Sequence, residues 1–165
     1  MTLSRKRKKQ ISKKKTQKNT NKSVYVGLAA DILNAGHINL IKIAYKLGDV
    51  TIGLLTDKAI TSYKRVPHSD YKQRLMVIKN IKYVKKVVPQ ESIDHTENLK
   101  KYKPDILVHG DDWKKGLLKP IRAKAIKTLR IWGGKLVEPK YTKNISASLM
   151  KKKLTEIGNT PDVRR

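Results

Sequence analysis

The chain contains no cysteine, which excludes a disulfide framework and a thiolate metal site and suits a reducing compartment. No apolar run approaches the roughly 18 residues that a membrane-crossing helix requires. The N-terminus lacks the apolar stretch that follows the charges of a secretory signal. Acids are scarce, with 13 Asp and Glu against 39 Lys and Arg and a formal charge of +26 over 165 residues. Apolar residues, at 38%, are few for a globular protein and too many for a disordered one. The expectation is a soluble, cytoplasmic protein that does not engage a membrane and has one domain of ordinary size.

The charge is unevenly placed. Residues 1–22 carry ten Lys or Arg and no acid, with Met1, Leu3 and Ile11 as the sizeable apolar side chains. Such a stretch buries too little surface to offset its ordering entropy, so 1–22 reads as a disordered basic tail and 23–165 as the folded domain. The domain is basic too, with 29 Lys and Arg against 13 acids. Clustered cations suit phosphates, and the tail fits contact with polyanions. Lysine, however, outnumbers arginine 31 to 8, and no helix-turn-helix, zinc-finger or aromatic-basic RNA motif is present. The bland alternative is a lysine-rich surface.

Short apolar runs alternate with helical periodicity. VYVGLAA (24–30), VTIGLLT (50–56), VKKVVP (84–89), DILVHG (105–110) and KLVEP (135–139) read as strands. Helices are expected from His37 to a stop at Gly48, over 58–63, from a Ser69 or Asp70 cap to Lys79, and over 93–102, 119–132 and 145–157. This alternation predicts an α/β, Rossmann-like doubly wound parallel sheet of five strands with helices on both faces. Near-continuous apolar runs support strands buried on both sides. Ligands of such sheets bind at the carboxyl ends of the strands, where strand order reverses.

Three segments at that rim carry chemistry. After the first strand, Gly27-Leu28-Ala29-Ala30-Asp31 leads through Asn34 and Gly36 to His37 at a helix start. Small residues admit a ligand to the backbone, and free N–H groups with the helix dipole favour phosphate there; the alternative for His37 is a structural cap. After the fourth strand, His109-Gly110-Asp111-Asp112-Trp113 offers carboxylates for Mg²⁺, a ribose or an amine, with an ordinary turn as the alternative. Ser62-Tyr63-Lys64-Arg65 places two cations in a loop, for a polyphosphate or simply for solvent. At the last helix, Tyr141-Thr142-Lys143-Asn144-Ile145-Ser146-Ala147-Ser148 places hydroxyls at a helix start, a second phosphate seat or a plain Ser146 cap. His68 and His95 show no ligand-like neighbours and read as bystanders.

Together VYVGLAADILNAGHINLIKIA, SYKR, HGDDW and YTKNISAS resemble the cytidylyltransferases of the glycerol-3-phosphate and phosphocholine type. GLLTDKAITSYKRVP, YKPDILVHGDDWK, GGKLVEPKYT and EIGNTPDVR are most like the subgroup associated with phosphoenolpyruvate phosphomutase in phosphonate biosynthesis. The resemblance spans residues 23–164. It implies transfer of CMP from CTP to a small phosphonate, 2-aminoethylphosphonate foremost, with release of pyrophosphate. Glycerol 3-phosphate or phosphocholine is the alternative acceptor. It further implies Mg²⁺ as cofactor and a homodimer. His37, Asn34 and Lys64 would be the catalytic residues at the phosphates, and Arg74, of the same motif region, would bind the nucleotide. Gly27, Leu28, Ala29, Asp31, Gly36, His109, Gly110, Asp112, Trp113, Thr142, Ile145, Ser146 and Ser148 would line the nucleotide site, Asp112 near its metal.

The chain departs from this pattern at Asn34, where the family's His-x-Gly-His motif has its first histidine. Asparagine donates neutral hydrogen bonds but carries no charge. Loss of one charged donor lowers a rate by about 10²-fold or more, so a weakened enzyme or a binding-only relative stands beside the active one. Removal of the basic tail is expected to leave folding and CTP binding intact and to weaken retention on a polyanion column. A fall of many degrees in the thermal midpoint would contradict that.

Overall fold

The computed structural model describes residues 22–140, 142, 145 and 147–158. Runs of valine, isoleucine and leucine form five strands: β1 (Ser23–Leu28), β2 (Asp49–Leu55), β3 (Lys86–Gln90), β4 (Ile106–Val108) and β5 (Lys135–Val137). All pair in parallel, in the order β3-β2-β1-β4-β5. The helices are α1 (Ala35–Leu47), α2 (Asp57–Thr61), α3 (Tyr71–Lys79), α4 (Thr96–Tyr102), α5 (Lys119–Arg130) and α6 (Ala147–Gly158). Two 3₁₀ turns, Asp111–Lys114 and Gly116–Leu118, precede α5.

The period-two alternation of the strands divides the core between two faces. Val24, Val26, Ile52, Leu54 and Val108 pack with Ile41 and Ala44 of α1 and Ile78 of α3. Tyr25, Val88 and Leu107 face the other way, against Leu99 of α4, Ala125 and Leu129 of α5, and Trp113. The sheet is therefore covered on both sides, as the alternation of the sequence predicts.

Element boundaries shift for identifiable reasons. β1 ends before Ala29, and Ala30 turns the chain with φ at 51°, a left-handed conformation that costs a non-glycine residue about 1–2 kcal/mol. α4 begins at Thr96 rather than Ile93, because the Asp94 carboxylate accepts the Thr96 N–H at 2.9 Å. α3 takes Asp70, of the two candidate caps, through a 2.8 Å bond from the Gln73 N–H. The ladder also starts earlier than expected: the Lys22 carbonyl accepts the Asp49 N–H at 2.9 Å. Residues 1–21, which hold all but the last residue of the segment expected to be a disordered tail, lie outside the described residues. Across the sheet, Ser23 clasps Asp105 through its N–H and hydroxyl at 2.7 and 2.8 Å.

One polar row is buried on the α4–α5 face. Asn98 donates to the Tyr25 hydroxyl at 2.7 Å, Tyr25 donates to Gln90 Oε1 at 2.7 Å, and Gln90 reaches His95. Two glycines make room for it. Gly27 and Gly53 are register partners on β1 and β2, and a Cβ on Gly53 would strike the Tyr25 hydroxyl while one on Gly27 would strike the His95 ring. Gly53→Ala is expected to destabilise the fold by about 1–3 kcal/mol, read as a lower urea midpoint. The double variant with Tyr25→Phe should recover part of that loss; a neutral Gly53→Ala would refute the packing argument.

Candidate functional site

Strand order reverses between β1 and β4. A cleft of about 1150 Å³ opens there, walled by the loop from Gly27 to Asp31, the start of α1, the Tyr63-Lys64-Arg65 segment, and His109 to Trp113. Lys140, Thr142 and, from α6, Lys151, Lys152 and Thr155 complete it. Five cations (Lys64, Arg65, Lys140, Lys151, Lys152) face two carboxylates, Asp31 and Asp112. The wall is thus cationic and suited to a polyphosphate.

At the start of α1, Asn34 is the N-cap. Its Oδ1 accepts the N–H groups of Gly36 at 2.9 Å and His37 at 3.3 Å, and its Nδ2 donates to the Ile32 carbonyl at 3.2 Å. The expected phosphate seat on those two N–H groups is therefore taken by Asn34 itself. Asn34 is thus the structural cap of α1, with His37 as its partner at the third helical position. His37 closes the box by accepting the Asn34 N–H on Nδ1 at 3.2 Å. That bond assigns the proton of the neutral ring to Nε2, on the cleft-lining side chain. Burial first, and the Lys64 charge second, hold the His37 pKa below the usual imidazole range.

The opposite wall is braced by charge. The Glu138 carboxylate, at the end of β5, takes a two-pronged contact from Arg122 at 2.7 and 2.9 Å and the Trp113 indole N–H at 2.7 Å. Arg122 is the main cause of a Glu138 pKa pushed down to about 2; burial works against it, and Trp113 and Lys114 add to it. Trp113 so held stacks on His109, ring centres 3.8 Å apart and 10° from parallel. Asp31 also acts on the protein: its oxygens accept the His68 and Ser69 N–H groups at 2.6 and 3.2 Å and pair with Arg65 at 3.1 Å. Burial raises its pKa, but these donors more than offset that and leave it lowered. Asp31 thus anchors the loop that follows Lys64.

Of the residues singled out in the sequence, Gly27, Leu28, Ala29, Asp31, Asn34, Gly36, His37, Lys64, His109, Gly110, Asp112, Trp113 and Thr142 line this one cleft. Ile145 covers the α1 start, its carbonyl 3.6 Å from where a Gly36 Cβ would lie. Ser146 and the side chain of Ser148 lie outside the described residues.

Arg74 is a correction. It is 2% exposed and donates to the carbonyls of Ala29 and Leu55 at 2.7 Å and of Ser69 at 3.0 Å, and it pairs with Asp57 at 2.6 Å. It ties the ends of β1 and β2 to the start of α3 and does not reach the cleft. His95 is the converse. Read as a bystander, it is 4% exposed and lines the cleft, edge-on to both His109 and Trp113 at 5.6 Å. Mid-strand glycines at 27 and 53, which often mark a close approach, were its one signal in the sequence. Glu138 and Arg122 carried none.

As for a metal, no group of three or more His, Asp or Glu able to hold one occurs among the described residues. Asp112 is a half-exposed carboxylate on the wall, 3.7 Å from His109 Nδ1. A single carboxylate fits a magnesium ion that arrives with a triphosphate and keeps waters and phosphate oxygens as its other ligands. No helix among the described residues is long and apolar enough to cross a membrane.

Comparison with known proteins follows the same lines. The family model described as cytidylyltransferase-like matches residues 25–153. The glycerol-3-phosphate cytidylyltransferase of Staphylococcus aureus is 34% identical over 85 residues, 50% of this chain and 64% of that protein. The ethanolamine-phosphate cytidylyltransferase of Arabidopsis thaliana is 30% identical over 95 residues, 54% of this chain and 23% of that one. An FAD synthase of Pyrococcus abyssi is 38% identical over 92 residues, covering 54% and 62%. A solved lipopolysaccharide core biosynthesis protein from Thermoplasma volcanium superposes with a TM-score of 0.60 at 25% identity, over 72% of this chain and 97% of that one. The chain spans less than two thirds of the length of each of these three curated relatives.

The buried His95 makes stability depend on pH. Burial first and His109 second push its pKa down from 6.5 to about 3, although Asp94 raises it. The unfolded chain therefore takes up the proton first, so the contribution is complete above about pH 6.5 and is lost as pH falls towards 3. At pH 5 the expected loss from this group is about 2 kcal/mol relative to pH 8. Urea titrations should show this acid limb flattened in His95→Gln; parallel pH slopes would assign it to another group.

Proposed function

The chain belongs to the cytidylyltransferase-like family, and from that premise we propose that it transfers CMP from CTP to a small phosphonate, 2-aminoethylphosphonate foremost. An oxygen anion of the acceptor forms a bond to the α-phosphorus of CTP. The bond from that phosphorus to the α–β bridging oxygen breaks, and pyrophosphate leaves with the electron pair. No proton need be removed from an ionised acceptor, so the task of the protein is positioning and charge neutralisation.

The observation that carries the reading is His37. Its Nδ1 is engaged by the Asn34 N–H, which leaves an Nε2–H donor in a cationic cleft beside Lys64. That donor and the Lys64 ammonium would receive the charge that develops on the departing pyrophosphate. Magnesium bound with the triphosphate would neutralise phosphate charge, and Asp112, a carboxylate that lines the cleft, would be its protein ligand. A homodimer is part of the proposal. The curated relatives named for glycerol 3-phosphate and ethanolamine phosphate favour a second reading, in which the acceptor is a phosphate monoester.

The test is pyrophosphate release from CTP and Mg²⁺ with 2-aminoethylphosphonate, glycerol 3-phosphate, phosphocholine and phosphoethanolamine offered in parallel. Release is expected with the phosphonate above all others; release with a phosphate monoester instead selects the second reading. Silence with all four, in a protein that binds CTP, removes the transferase reading. His37→Ala is expected to lower kcat by about 10²- to 10³-fold. Asn34→His exchanges a good N-cap for a group that can carry charge, and is expected to lower the thermal midpoint and raise kcat.

A further inference from the structure

No step of the proposed transfer uses His95, yet Gly27 makes room for its ring and a row of buried polar groups leads up to it. Those neighbours determine where its proton sits. The Tyr25 hydroxyl accepts from Asn98 and has Gln90 Oε1 as its acceptor, both at 2.7 Å. Gln90 Nε2 then has two hydrogens to place, one on the Ser92 carbonyl at 2.7 Å and one towards His95 Nδ1 at 3.0 Å. Gln90 Oε1 also lies 3.2 Å from that nitrogen. A proton on Nδ1 would leave the second Nε2 hydrogen of the buried Gln90 without an acceptor, a cost that the opposite tautomer avoids. The proton of His95 is therefore assigned to Nε2.

That nitrogen faces the cleft. Among the described residues no buried side-chain nitrogen or oxygen lacks a partner, and His95 Nε2, on a ring that lines the cleft, has no hydrogen-bond partner among them. His109 holds the other tautomer. Its Nδ1 lies 2.8 Å from the Gly110 carbonyl, which only accepts, so Nδ1 carries the proton and Nε2 presents a lone pair. The two rings meet edge-on at 5.6 Å, with Trp113 flat against His109. Leu118 and Ile121 line the cleft and pack against the cluster that holds Trp113, an apolar surround that suits a planar ring.

We propose that His95 and His109 form a donor–acceptor pair that reads the hydrogen-bonding edge of the nucleobase, with His95 as a specificity-determining residue. The choice of cytosine rests on the CTP reading above. Cytosine presents an N3 acceptor beside an N4 amine donor. Uracil presents an N3–H donor beside an O4 acceptor, so in the same pose a fixed pair meets it donor to donor and acceptor to acceptor. Ribose hydroxyls rotate to either role and would gain nothing from two imidazoles locked in opposite tautomers.

Isothermal calorimetry on the full chain tests this with CTP, UTP, 2′,3′-dideoxy-CTP and inorganic tripolyphosphate, for wild type, His95→Leu and Tyr25→Phe. Wild type is expected to prefer CTP to UTP by about 10- to 100-fold. In His95→Leu that ratio should fall close to one through weaker binding of CTP and its dideoxy analogue, with tripolyphosphate bound as before. Tyr25→Phe, which frees Gln90 to turn, should lose part of the preference. A CTP preference that survives in His95→Leu overturns the inference. So does a loss confined to ligands with ribose hydroxyls, or one shared equally by tripolyphosphate. Wild type that binds tripolyphosphate but no nucleotide selectively overturns the CTP reading as well. If His95→Leu fails to fold, an unchanged CTP-to-UTP ratio in Tyr25→Phe overturns the inference alone.

Discussion

Gly27 and Gly53 face each other across the β1–β2 ladder, and neither position has space for a Cβ. This missing pair of side chains forms a notch in an otherwise apolar sheet face. Asn98, Tyr25, Gln90 and His95 lie across it in unbroken hydrogen bonding. A polar row of this kind survives burial only when every member is satisfied. From it the constraint passes by ring contact to His109 and Trp113, and by the indole N–H to Glu138 and Arg122. One side of the cleft is thus held in place from within the sheet rather than by its surface loops.

The other side is held by charges turned on the backbone. Arg74 gathers carbonyls from the ends of β1 and β2, and Asp31 gathers the N–H groups that follow Lys64 and Arg65. Asn34 does the same for α1. All three read from the sequence as groups aimed at a ligand. In the fold they fix the loops that carry His37 and Lys64, which have the donors to offer. This division separates residues that set the shape of the cleft from residues whose hydrogens and charges remain for whatever enters it.

The doubly wound fold was legible because each strand is an apolar run and each helix shows its period and a stop, as at Gly48. Boundaries failed where side chains far along the chain intervene: Ala29 leaves β1 with its carbonyl bonded to Arg74, 45 residues away. The cleft was legible in part, since Gly27 to His37 and His109 to Trp113 follow strands that a parallel sheet brings side by side. That Arg74 turns inward and that His95 lines the cleft were not legible, for a common reason. Burial of a polar side chain depends on partners distant in sequence, such as the Gly27 beneath the His95 ring, and local spacing carries no trace of them. Asn34 was read through a motif histidine, although asparagine at the position before a helix is first of all a good cap.

β1 comes early in the chain and ends at the centre of the sheet, with β2 on one edge and β4 on the other. The clasp from Ser23 to Asp105 spans 82 residues. At synthesis rates of about 5–20 residues per second, β1 waits several seconds after its own emergence for the strand that seals its second edge. During that interval the β1–β2–β3 half is able to pair while Val24, Tyr25 and Val26 keep one row of unsatisfied backbone groups beside them. An open apolar edge is the surface on which nascent chains pair wrongly, so the centre of this sheet is also the part most exposed to misassembly during translation. A binding cleft placed between the first strand and the fourth therefore comes into being only when nearly the whole domain has left the ribosome.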